Sequence, residues 1–264
     1  MKEENNFCFC NASSADLLNR KIAPLDHSST PSLIHFVSMF LTLLFSSPPL
    51  ALAWILAILF SLTIHEFSHA LVGKLKGDHT AEREGRLTLN PMAHLDLFGF
   101  IPLLLFGFGW AKPVPFNPYN LKNPKWDSVL IALAGPGSNL IIAAVCSVAF
   151  RVLLEGGLSP YSLLTAFLFF LILLNLFLAL FNVIPIAPLD GSKLFFALFD
   201  APKYEQLRNF VAFRGPQILM FAVLISLFTN FNIFFFISTP AYAICDTLTG
   251  ASCAAYQGML FGSL

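Results

Sequence analysis

From His35 to Ile64 the chain carries no acidic or basic side chain except His35 itself. A helix that crosses a bilayer needs about 20 mostly apolar residues, so thirty such positions ask for membrane rather than water. The run is broken at Ser46-Ser47-Pro48-Pro49, which divides it into two expected helices, 32–46 and 50–73. Three further uncharged runs follow at 128–150, 161–189 and 216–238. Charged residues make up 11% of the chain and hydrophobic ones 56%. A water-soluble domain carries about a quarter charged residues, so this chain lacks the means to cover a wet surface.

The fold expected is therefore all-α, a polytopic transmembrane helix bundle of about five or six spans. A polar N-terminal tail, 1–31, precedes a membrane core, 32–238, and a C-terminal tail, 239–264, follows it. The apolar stretch 97–111 contains Gly99, Pro102, Gly107 and Gly109 and is too short to span. It reads as a short re-entrant or β-hairpin segment between the second and third spans, because irregular backbone at membrane depth must be covered by protein. Residues 193–201 add at most a short apolar helix.

Basic residues orient the bundle. Lys74, Lys76, Arg83, Arg86, Lys112, Lys122 and Lys125 fall in the loop 74–127, and Lys193, Lys203, Arg208 and Arg214 in 193–214. Only Arg151 is left for the opposite side, and 239–264 has neither Lys nor Arg. The chain is thus expected in the cell membrane as a multi-pass protein with 74–127 facing the cytoplasm. A cleaved signal peptide is not expected, since the first thirty residues hold charges such as Lys2, Glu3, Glu4, Asp16, Arg20 and Lys21 before any long apolar run. No basic block or RNA-type aromatic motif is present, which argues against nucleic acid as a partner. Of the five cysteines, Cys8 and Cys10 read as unpaired thiols, and a Cys245–Cys253 disulfide is an expectation that requires an oxidising compartment at that end.

His65-Glu66-Phe67-Ser68-His69 lies within this apolar setting. Histidines four apart stand on one face of a helix, where two imidazole nitrogens reach one zinc ion. Glu66 is one step round and free to take a proton from a metal-activated water and return it to the leaving amine. Each ionisable group in a spanning helix costs at least about 2–3 kcal/mol, so three within one helical turn and a half need a partner such as a metal ion.

A catalytic zinc takes three protein ligands and keeps one position open. Candidates for the third are His35, His79, His94, Asp96 and Asp190. Asp190 stands out because it closes a long uncharged segment loosened by Pro185 and Pro188. It also lies at the same expected depth as His69, roughly 5–8 Å below the cytoplasmic edge at about 1.5 Å per residue. The competing role for Asp190 is N-cap of a following helix in Asp190-Gly191-Ser192-Lys193.

The motif His65–His69, the downstream Asn182-x-x-Pro185-x-x-Pro188-Leu189-Asp190-Gly191 and the intervening Ala134-Gly135-Pro136-Gly137-Ser138-Asn139 together resemble the site-2 protease family of intramembrane metalloproteases. The stretches Gly85-Arg86-Leu87-Thr88-Leu89-Asn90-Pro91 and Gly109-Trp110-Ala111-Lys112-Pro113-Val114-Pro115 look like its small bacterial members. The resemblance covers about 50–237. It implies zinc held by His65, His69 and Asp190, with Glu66 as acid/base and Asn182 contacting substrate or the oxyanion. Asn139, His94 and Asp96 match family positions too, the last two as loop-ordering residues. The chain departs from the family at Gly77-Asp78-His79, where Gly-Asp-Pro is common, and its loop 74–127 is too short for a PDZ domain.

The function implied is hydrolysis of peptide bonds in or next to transmembrane segments of substrate proteins. Such a substrate must unwind locally, so glycine or proline near the cut should help, and 97–111 is expected to offer an edge to the unwound strand. Partners are then the lipid bilayer, transmembrane protein or peptide substrates, and a regulatory membrane protein if substrate choice is not made in the core. The competing class is a metal transporter, which would also place His and Asp at membrane depth; no internal repeat points to it.

Overall fold

The computed structural model describes residues 43–106, 109–229 and 233–262. The expected tail 1–31, His35, Cys8, Cys10 and most of the 32–46 helix lie outside them; residues 43–46 are helical. The described residues are helical with no strand. The helices of eight residues or more are α1 (Pro48–Leu75), α2 (Leu97–Phe106), α3 (Pro124–Glu155), α4 (Leu163–Asn182), α5 (Gly191–Leu198), α6 (Glu205–Phe228), α7 (Phe235–Thr249) and α8 (Cys253–Gly262). Four stretches among them are long and apolar enough to cross a membrane: Pro48–Leu75, Pro124–Glu155, Leu163–Asn182 and Pro202–Ser226.

Local chemistry sets the ends. Pro48 and Pro49 open α1, where missing N–H groups cost nothing. Gly77, at φ 101, lets the chain turn off its far end, with Asp78 N donating to Gly73 O. Asn123 and Ser162 cap α3 and α4 by accepting from Trp126 N and Thr165 N.

α1, α3 and α4 pack around one apolar core joined by α7 and α8. Ala51, Ala53 and Ala57 on α1 and Ala143 on α3 are buried, and such small residues let helix backbones approach closely. Larger side chains fill the gaps, as where Trp54 meets Phe170 edge-on at 5.1 Å.

Three expectations need correcting. The 97–111 segment is not a β-hairpin among the described residues. Leu97–Phe106 is a helix with Pro102 inside it, and the chain returns along it from Gly109 without regular secondary structure. A helix satisfies its own backbone groups, which a lone hairpin at membrane depth does not. The return packs tightly, since a Cβ on Gly99 would stand 2.1 Å from Trp110 O. The run 161–189 leaves the helix at Asn182, and Val183–Asp190 is a series of turns with a cis Ala187–Pro188 bond. Pro185 lacks the N–H that a continuing helix would need.

The run 216–238 is split differently as well. α6 starts upstream at Glu205, takes Pro216 inside it and ends at Phe228, and α7 begins at Phe235. Much of 239–264 is helical, in α7 and α8. Tyr256 stacks edge-on against Phe150 at 5.4 Å and donates its hydroxyl to Pro160 O. Cys245 and Cys253 are joined by a disulfide. Alkylation of the denatured, unreduced protein should leave these two cysteines unlabelled and label Cys146. Labelling of all three without reduction would remove the bond.

Candidate metal centre

His65 and His69 project from one face of α1, ring centroids 4.6 Å apart, and both are buried. The turns after α4 bring Asp190 to them from about 120 residues away. Its Oδ2 lies 3.3 Å from His65 Nε2 and 3.3 Å from His69 Nε2, and the two Nε2 atoms are 3.1 Å apart. Bonds of 2.0–2.1 Å in a tetrahedron place neighbouring ligand atoms about 3.3–3.4 Å apart. The triangle therefore matches one face of a tetrahedral zinc site.

Donor chemistry agrees with the geometry. His65 Nδ1 donates to Asn139 Oδ1 at 3.0 Å and His69 Nδ1 to Ile131 O at 2.7 Å. A proton on each Nδ1 leaves a lone pair on each Nε2, aimed at the triangle. Asp190 Oδ2 is buried without a hydrogen-bond partner. Two imidazole lone pairs and an orphaned carboxylate oxygen repel one another unless a cation sits among them. These three residues form the metal-capable group found among the described residues.

Asp190 sits at the N-cap position of α5 but makes no side-chain cap bond, so the capping role is not what its carboxylate does here. Gly191 makes the turn: a Cβ there would stand 2.1 Å from Val183 O. Gly215 on α6 also packs on the same loop, less closely, its Cβ position 2.8 Å from Ala187 O.

α3 closes the site from the other side. A Cβ on Gly135 would stand 2.4 Å from His69 Nε2. Asn139, one turn on, is fully buried and orients His65. Asn139→Ala should leave that Nδ1 without its acceptor and weaken metal affinity about 10–100-fold. Competition with a chelator checks this, and wild-type retention would remove the orienting role.

Glu66 is buried beside the triangle, and its Oε2 accepts from Val114 N at 3.3 Å. Asn182 ends α4 with its Nδ2 donating back to Leu178 O at 3.0 Å, turned onto its own helix. The other ligand candidates among the described residues are engaged elsewhere. His79 contacts Glu82 at 2.7 Å, His94 Nε2 meets Thr88 O at 2.9 Å, and Asp96 accepts from Phe98 N and Trp110 Nε1.

Asp78 matches the family's Gly-Asp-Pro, and the departing position is its neighbour His79. Asp78 is buried and accepts from Thr80, Asn117 N and Asn120 Nδ2. Burial opposes its charge, but these bonds outweigh it and hold the carboxyl below its ordinary range. Gly135, Val114 and Asp78 were not foreseen as parts of the site. Gly135 and Val114 stand in stretches that carried the resemblance, and nothing in their local pattern marks what they touch.

Residues 153–228 match the model of peptidase family M50. The chain is similar to the Bacillus subtilis protein named "Putative zinc metalloprotease YwhC", 44% identical over 144 residues, which are 53% of this chain and 66% of that one. It is 33% identical over 138 residues to Rip2 of Mycolicibacterium smegmatis, covering 50% of this chain and 52% of that protein, which has the same kind of name. A Methanocaldococcus jannaschii relative, likewise so named, is 32% identical over 129 residues, 49% of this chain and 61% of the other. The chain thus spans between about half and two thirds of the length of these relatives. No solved structure matches.

Proposed function

Because this chain belongs to peptidase family M50, the site-2 proteases, we propose that it is a zinc-dependent intramembrane endopeptidase. It would hydrolyse peptide bonds in or next to transmembrane segments of substrate proteins. The observation that carries this is the triangle of His65, His69 and Asp190 donors with Glu66 beside it, set among helices long enough to cross a membrane.

Zinc held by the three residues supplies a Lewis acid that brings the pKa of water towards neutrality. Glu66 is outside the triangle and does the proton work: it accepts a proton from the attacking water and passes it to the nitrogen of the departing amine. Asn182 is proposed to turn its amide from Leu178 O towards the developing oxyanion when substrate arrives. Asn139 and Ile131 O keep the histidine rings in register throughout. The substrate helix must unwind before its carbonyl can be attacked, so glycine or proline near the cut favours cleavage.

The basic residues of 74–127 and 193–214 support placing the site near the cytoplasmic face of the cell membrane. Substrate choice is proposed to involve the membrane core or a regulatory membrane partner. In the test, purified protein in liposomes is given a single-span substrate with a central glycine–proline pair. Cleavage should occur, stop with a chelator and return with zinc. A zinc-loaded preparation that cuts no single-span substrate would sink the reading, and zinc accumulation inside sealed liposomes would point to a transporter.

A further inference from the structure

Residues 109–117 form neither helix nor strand and pass Glu66 at Val114. Both ends of the stretch Lys112–Asn117 are tied to buried polar groups. At one end Lys112 N donates to His94 O at 2.8 Å, and the buried Arg86 guanidinium holds Ala93 O and Lys112 O. At the other, Asn117 N donates to Asp78 Oδ2 at 2.6 Å, and Asn120 Nδ2 to the second oxygen at 2.7 Å.

Between these anchors lies Pro113-Val114-Pro115. Proline has no N–H and fixes its own φ, and a residue before proline is held extended. Val114 therefore supplies the one backbone donor of the three, and it points at Glu66 Oε2, 3.3 Å away. A carboxylate on a helix normally samples several rotamers, and proton transfer needs one of them.

We propose that Lys112–Asn117 is a positioning strap for Glu66, in which the Val114 N–H holds one carboxylate oxygen and leaves the other to carry the proton. The proposal rests on the protease reading for its consequence and on geometry alone for its contact. Val114 acts through Glu66 and is a positioning residue. Asp78 and Arg86 act one step further back, by keeping the strap taut.

Two arms test it on the full chain. With valine labelled by nitrogen-15 in micelles, amide exchange at Val114 should be about tenfold or more faster in Glu66→Ala than in wild type, because the acceptor is gone. Equal exchange in the two proteins overturns the strap whatever the protein cleaves. In the activity arm, Val114→Pro removes the donor, and Val114→Ala keeps it while also losing the valine side chain. Val114→Pro should lose about tenfold or more in kcat with KM within about twofold and zinc content retained, and Val114→Ala should recover most of the kcat. Equal losses in both variants, or loss of zinc in Val114→Pro, overturn the proposal. If wild type cleaves no substrate, the protease reading fails, while the exchange arm still decides the contact.

Discussion

Glu66→Gln should bind zinc as wild type does and lose about a thousandfold or more of its turnover. Positioned acid–base groups contribute about 10²–10⁴-fold, and here one group serves both the attacking water and the leaving amine. Glutamine has the same length and keeps an oxygen for the Val114 N–H, so the fold around it has no reason to change. Nor has the metal, since the three converging donor atoms belong to His65, His69 and Asp190. Zinc content and single-turnover cleavage measured on one preparation check both halves. Cleavage at the wild-type rate would remove Glu66 from the chemistry, and loss of zinc would make it a ligand.

Gly135→Ala should strongly weaken both metal binding and cleavage. The added carbon would lie 2.4 Å from His69 Nε2 and 2.6 Å from His65 Cε1 and His69 Cε1, far inside ordinary contact. Its neighbours are not flexible chain ends: one ring is tied to Ile131 O and the other to Asn139. Relief requires α3 to move off α1, which breaks those two bonds and spreads the triangle. Metal affinity should fall by about a hundredfold or more, by the size of effect seen when groups supporting a ligand are lost. Gly137→Ala is the control, two residues along the same helix, where an added carbon meets nothing within 4 Å. Equilibrium dialysis with zinc separates the pair, and wild-type affinity in Gly135→Ala would show that the helices yield.

The parts of the site legible in sequence are those governed by short-range rules. His65 and His69 were legible because a helix puts residues four apart on one face, and their apolar setting made the polarity costly. Asp190 could be singled out as a lone carboxylate after a long uncharged run loosened by two prolines. Gly135 was opaque because its constraint is another helix's side chains, and a sequence does not state how close two helices come. Val114 was opaque for a related reason: its contribution is a backbone N–H, which every non-proline residue has. The run 216–238 misled because Pro216 reads locally as a helix start, whereas α6 carries it within the helix beside Gly215, which packs on the Asp190 loop. The 239–264 stretch has no Lys or Arg and is broken by Gly250, and its folding depends on the surface that Phe150 and Phe169 present to Tyr256.

The bond between Cys245 and Cys253 has a redox meaning for the molecule as a whole. It lies by the far ends of α3 and α4, where Tyr256 reaches Pro160 and Gly250 approaches Arg151, while the metal ligands gather at the other end of α4. Twenty residues of α4 hold the two about 30 Å apart. Disulfides persist where the surroundings oxidise thiols. Persistence of the bond requires oxidising surroundings at that end, and the length of one helix separates it from the imidazoles and carboxylates at the other.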